Sequence, residues 1–173
     1  MYNQLLPLIL LTVVAAFSPG PNNIMSSYSG FNFGFKKTIP FMLGVIFGWI
    51  TMLASMAAGL IIIFQQYPSL QIMIKICGSI FLIYLAYKIA FSSNDNKKTL
   101  KKPIPFLGTF FFQFVNPKGV IVAMIVVSTF IDFKDNYLRD SIIVLLVTFV
   151  MAILSVSSWC LLGKNLRKFA TSE

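Results

Sequence analysis

The sequence predicts an all-α integral membrane protein of about five spans. Three observations predict it. Of 173 residues, 57% are hydrophobic and 11% charged, where a soluble domain carries about 25% charge. Apolar stretches of about 22 to 26 residues recur between polar breaks, each enough at ~1.5 Å per residue to cross a ~30 Å hydrocarbon core. Basic residues gather at alternate breaks, as the two faces of a membrane demand.

Taken in order, the spans fall at residues 5–27, 39–64, 70–91, 106–131 and 141–162. The first does not read as a cleaved signal, because residues 1–4 hold no basic residue and no small-residue cleavage site follows Phe17. Lys36 and Lys37 follow span 1; Lys88, Lys97, Lys98, Lys101 and Lys102 follow span 3; Lys164, Arg167 and Lys168 follow span 5. The other side holds only Lys134 and Arg139. Ten against two places the N-terminus outside and the C-terminal tail in the cytoplasm. The net charge of +9 is thereby explained by the lipid bilayer, with no nucleic-acid partner. Residues 1–91 form a first three-span unit, 92–105 a solvated cytoplasmic linker, and 106–173 an incomplete second unit with a basic tail.

Spans 1 and 4 interrupt themselves. Span 1 carries "FSPGPNNI" and span 4 "FVNPKGVI", and Pro21 and Pro117 lie 96 positions apart. Two broken spans at matching places in three-span units imply an inverted repeat, the best sequence pointer to a transporter's midplane site. Pro117 cannot donate to the Gln113 carbonyl, nor Pro19 and Pro21 to those of Ala15 and Phe17. Freed carbonyls survive at membrane depth only against protein or water. Ser18-Pro19 and Asn116-Pro117 read as new helix starts, each a capping side chain followed by proline. Their amides and positive dipole ends would face a shared cavity suited to a carboxylate. The candidate substrate-binding residues are therefore Ser18, Pro19, Gly20, Pro21, Asn22, Asn23, Asn116, Pro117 and Lys118.

Lys118 lies about 12 residues from either end of its span, roughly 18 Å of helix from each surface, beyond the reach of a snorkelling lysine. An ammonium so placed marks a pathway. Gly44 and Gly48 form a GxxxG pair in span 2, a packing signal without chemistry. The chain has no histidine, and Cys77 and Cys160 lie in different spans outside any CxxC. No zinc or haem site, and no other cofactor, is expected.

These stretches together resemble a known family. "SPGPNN", "GFNFGFKK" and "LGVIFGW", then "GSIFLIYLAYKI", "FVNPK", "STF" and "WCLLGKNLRKF", are similar to the signature regions of the LysE/RhtB amino-acid exporters. The combined "PGPNNI", "QFVN-K" and "STF" looks closest to the cysteine/O-acetylserine exporter branch. The resemblance implies multi-pass export of small amino acids or their derivatives across a bacterial cytoplasmic membrane, driven by the proton gradient, with no enzymatic step. Family members generally have a sixth span, so the second unit reads as lacking its last helix. Either the sequence is shortened or a second copy, as a homodimer, covers the open face. Some relatives carry Asp where this chain has Asn22, which implies a neutral substrate.

All five acids, Asp95, Asp132, Asp135, Asp140 and Glu173, fall in loops, tails or span ends. Lys118 is then the one titratable group expected at the midplane. Two other readings stand: a membrane thiol–disulfide carrier, which would place cysteines at the paired breaks, and a non-transporting membrane subunit.

Overall fold

The computed structural model describes residues 2–90 and 103–170. Among them every regular element is helical. In chain order these are α1 (Tyr2–Phe17), α2 (Pro21–Phe33), α3 (Phe35–Ser55), a π-helical turn (Met56–Leu60), α4 (Ile61–Gln66), α5 (Pro68–Ala90), α6 (Phe106–Val115), α7 (Pro117–Phe130) and α8 (Tyr137–Ala170). Phe35–Gln66 and Tyr137–Arg167 are long and apolar enough to cross a membrane. The pairs α1/α2 and α6/α7 pass the same test jointly, bent by 52° and 63°. The expected breaks in spans 1 and 4 are thus present. The 23-residue α5 covers the third expected span.

The span ends need correction. Span 1 continues past residue 27 to Phe33, and only Gly34 separates α2 from α3. Gly34 turns the chain at φ 77°, a left-handed conformation that favours glycine. Lys36 and Lys37 therefore sit in the first turn of α3, which also begins before residue 39. The fifth span outruns 141–162 at both ends, and Lys164 and Arg167 ride on helix instead of a tail. Straight-chain basic residues are good helix formers, so charge ends the hydrophobic signal before the helix itself stops. Most of the linker expected at 92–105 lies outside the described residues.

Small residues set the packing. A Cβ on Gly30 would meet the carbonyl of Cys160, and one on Gly163 the carbonyl of Ser27, so α2 and α8 touch backbone to backbone. Gly44 and Gly48 do the same for α3 on α6, facing the Phe106 and Phe110 carbonyls. Without a water-driven force between helices in lipid, such close approach supplies the contact energy. Hydroxyls stitch the same seams: Ser26 donates to the Val156 carbonyl at 2.7 Å and Thr109 to the Phe41 carbonyl at 3.1 Å.

Two dry clusters result. One gathers Leu8, Met52, Leu53, Met56, Val126, Val127 and Val144 from α1, α3, the π turn, α7 and α8. The other gathers Met25, Phe41, Met42, Val45, Ile46, Val156 and Cys160 from α2, α3 and α8. Large apolar side chains such as Leu6, Val14, Ile83, Phe111 and Leu146 stay exposed around the perimeter, a surface suited to lipid.

Candidate functional site

Along α3 and α8 the two dry clusters leave a gap, and the broken helices bring their ends into it. A cavity of about 100 Å³ lies there. It is lined by Thr12, Ala15 and Ala16 of α1, Gly20, Pro21, Asn22 and Asn23 at the first break, and Asn116, Lys118 and Gly119 at the second. Val45 and Trp49 of α3, Val122 of α7, and Thr148, Met151, Ala152, Ser155 and Val156 of α8 complete the wall. Six of the nine expected site residues line it, while Ser18, Pro19 and Pro117 do not.

The first break is held by several side-chain bonds. Ser18 still belongs to the α1 ladder, its amide donating to the Val14 carbonyl at 3.1 Å. The helix restarts at Gly20-Pro21. The expected start at Ser18-Pro19 is therefore two residues early. Either proline satisfies the N1 rule, and the extended Gly20 (φ −170°, ψ 176°) decides between them. Ser18 Oγ donates back to the Ala15 carbonyl at 3.2 Å. Asn23 Nδ2 donates to the Ala16 carbonyl at 2.7 Å and to the Ser18 carbonyl at 2.9 Å. Ser155 Oγ reaches the Ala16 carbonyl at 2.6 Å and Asn23 Oδ1 at 3.3 Å. Asn23, expected to meet substrate, lines the cavity and also serves the Ala16 and Ser18 carbonyls at the helix break.

Asn22 is also engaged. Its Nδ2 donates to Gln113 Oε1 at 2.8 Å, and Gln113 Nε2 donates back to Asn22 Oδ1 at 3.2 Å. Gln113 is wholly buried and also bonds the Thr109 carbonyl at 2.9 Å. This reciprocal amide pair ties the second half of the first broken span to the first half of the other. Gln113 and Ser155 escaped the sequence reading as site residues. The signal for Gln113 was a lone amide in the apolar run "FFFQFV"; Ser155, one of four serines in α8, carried none.

The second break is one residue long. The Asn116 amide donates to the Gln113 carbonyl at 3.4 Å, replacing the bond Pro117 cannot make. Asn116 is the N-cap of α7, but its side chain caps nothing. The residue is 2% exposed, and its Oδ1 has no partner. An unsatisfied buried acceptor costs about 1–3 kcal/mol, so its retention calls for a reason.

Lys118 joins the breaks. Its Nζ donates to the Ser18 carbonyl at 2.8 Å and to Ser18 Oγ at 2.9 Å. Its stem runs so close to Gly20 that a Cβ there would lie 2.8 Å from Cδ. No carboxylate pairs with it among the described residues. The first intrahelical donors are Ile24, to Gly20, and Val120, to Asn116. The amides ahead of them, at Asn22 and Asn23 and at Lys118 and Gly119, precede both ladders. A half-buried ammonium with two helix starts beside it favours an anionic group. Cys77 is exposed on α5 and Cys160 buried on α8, and neither lines the cavity.

Residues 13–170 match the LysE type translocator family. The chain is 31% identical over 123 residues to the cysteine/O-acetylserine efflux proteins of Salmonella paratyphi A and Salmonella typhi, covering 69% of this chain and 62% of theirs. Against the protein of that name from Escherichia coli strain K12 it is 29% identical over 120 residues, with the same coverage. The chain thus spans less than two thirds of the length of these curated relatives. No solved structure matches it. With the family match running over nearly the whole sequence, the chain belongs to the LysE type translocator family.

Proposed function

We propose that the chain exports small neutral amino acids or their derivatives across the bacterial cytoplasmic membrane, driven by the proton gradient. The observation that carries the proposal is Lys118: an ammonium without a carboxylate partner, held by neutral oxygens in a cavity where two helices begin. A substrate carboxylate takes over Nζ from Ser18 and faces the free amides of α2 and α7. The unpartnered Oδ1 of Asn116 accepts from a donor group of the substrate. At about 100 Å³ the cavity matches a small amino acid and falls well short of the roughly 300–1,000 Å³ of drug-sized ligand sites. No acid lines it, which favours a neutral side chain over a cationic one. The relatives' name supplies the class of cysteine and O-acetylserine, with homoserine-like compounds of similar size.

The N-terminus then lies outside, and residues 1–91 and 106–173 are two inverted units that move against each other around the cavity. The dry clusters on either side then serve as outer and inner seals. Breaking the bridge between Ser18 and Lys118 is the step that lets the units part. Efflux of an amino-acid panel from cells producing the chain, with and without an uncoupler, tests this. Cysteine and O-acetylserine are expected to leave faster than in control cells, and the uncoupler to abolish the difference. Equal efflux with and without the chain refutes export, and export indifferent to the uncoupler refutes the coupling.

A further inference from the structure

A second concavity opens on the outer surface of the bundle, between α3 and α8 and away from the broken helices. It is an apolar groove of about 230 Å³, walled by Ile39, Leu43 and Phe47 on α3 and by Phe149, Ile153 and Ser157 on α8. On α3 the wall residues follow a 3-4-4 spacing from Lys36, so Lys36, Ile39, Leu43 and Phe47 form one stripe. On α8, Phe149, Ile153 and Ser157 step by four, and Lys164 lies seven residues further along the same face. The helices run in opposite directions, Met42 to Ile46 clustering with Val156 and Cys160 and Met52 to Met56 with Val144, which brings Lys36 and Lys164 to the same end of the groove. Both lysines are exposed, as is Lys37. The acids among the described residues, Asp132, Asp135 and Asp140, belong to the α7–α8 turn and the first turn of α8, at the far end of the bundle.

We propose that this groove binds one anionic phospholipid, its acyl chain along the α3–α8 seam and its phosphate between Lys36 and Lys164. The wall from Ile39 to Phe47 runs about 12 Å, a fitting bed for part of an acyl chain. Two cations at one mouth, with no acid near them among the described residues, select a negatively charged headgroup over a zwitterionic one. A soluble anion would gain nothing from the apolar wall, so the combination fits a lipid. The site is independent of whether the chain transports, because its ligand meets neither break.

The test is lipid binding by the purified full-length chain, read by native mass spectrometry and by Tm in detergent. Phosphatidylglycerol is expected to remain bound and raise Tm, and phosphatidylcholine to do neither. Lys36→Gln with Lys164→Gln should weaken phosphatidylglycerol binding about thirtyfold, roughly fivefold per lysine. Lys134→Gln, at the opposite end, should leave it unchanged. Ile153→Trp, which fills the groove without touching charge, should abolish the bound lipid. Equal retention of both lipids, or unchanged binding in the double variant, overturns the proposal. So does a disulfide-linked dimer from Leu43→Cys, which would put a second copy in the groove.

Discussion

The two helix breaks look alike in sequence and differ in construction. The first is three residues long, and the Ala15, Ala16 and Ser18 carbonyls around it accept from Ser18, Asn23, Ser155 or Lys118 side chains. The second is one residue long and closes its backbone with a single bond, leaving the Asn116 Oδ1 buried and without a partner among the described residues. The first break is a scaffold and the second presents chemistry. Polar residues beside a proline therefore divide into those that repair the backbone and those left to meet a ligand, and only the hydrogen bonds tell them apart.

The sharpest way to break this contrast is Lys118→Met, which removes the charge and nearly keeps the shape. Efflux should fall at least about tenfold at equal membrane abundance, since a charge-assisted contact of about 1.5–3 kcal/mol is lost. Unchanged efflux would remove Lys118 from the site.

Asn23→Leu tests the scaffold side. It strips donors from the Ala16 and Ser18 carbonyls at once and should cost about 2–3 kcal/mol of stability, seen as a lower Tm in detergent. A variant as stable as the parent would mean that Ser155 and Lys118 alone satisfy these carbonyls. Gln113→Ala breaks the amide pair with Asn22 and should cost about 1–3 kcal/mol, because the Asn22 amide loses both its bonds. A double cycle with Asn22→Ala should recover most of that loss, and strict additivity would argue against the pair.

Asn116→Leu should have the opposite sign. Replacing a side chain whose buried Oδ1 has no partner by an apolar group of similar size is expected to leave stability equal or raised by up to about 1 kcal/mol, read as Tm, while efflux declines. A destabilised variant would show that Asn116 repairs the backbone as Asn23 does. The smallest effect lies outside the membrane. The Lys134 backbone amide, chief among the contacts of Asp132, holds its carboxyl below the usual range. The lowered value means stability present above the unfolded pKa of about 3.9 and lost as pH falls through the folded one. Tm of the parent should drop more than that of Asp132→Asn below about pH 4, and parallel curves would dismiss the contact.

The sequence carried the broken spans because proline and asparagine have no neutral reading inside 20 apolar residues. It carried Lys118 for the same reason: a charge at mid-span has nowhere else to go. The end of α8 was hidden, because lysine and arginine end hydrophobicity without ending helicity. The restart at Pro21 was hidden because two prolines two residues apart each fit a first turn. The partners Gln113 and Ser155 were hidden most deeply. Ser155 lies 139 residues from the Ala16 carbonyl it serves, and Gln113 lies 91 from Asn22. Periodicity within one helix says nothing about which residue another helix will present.

The glycine seams have a bearing on how such a bundle changes shape. Where Gly30 and Gly163 bring α2 against α8, and Gly44 and Gly48 bring α3 against α6, the contact is largely backbone, with the small Ser26 and Thr109 hydroxyls bonded across it. Smooth surfaces of this kind resist pulling apart, since separation opens a void along the whole seam, but they offer little hindrance to gliding. Each pair is a rail and its runner. Movement between the two faces of the membrane is then expected as shear along these rails, a few ångströms of sliding at nearly constant contact, in place of a jaw-like opening.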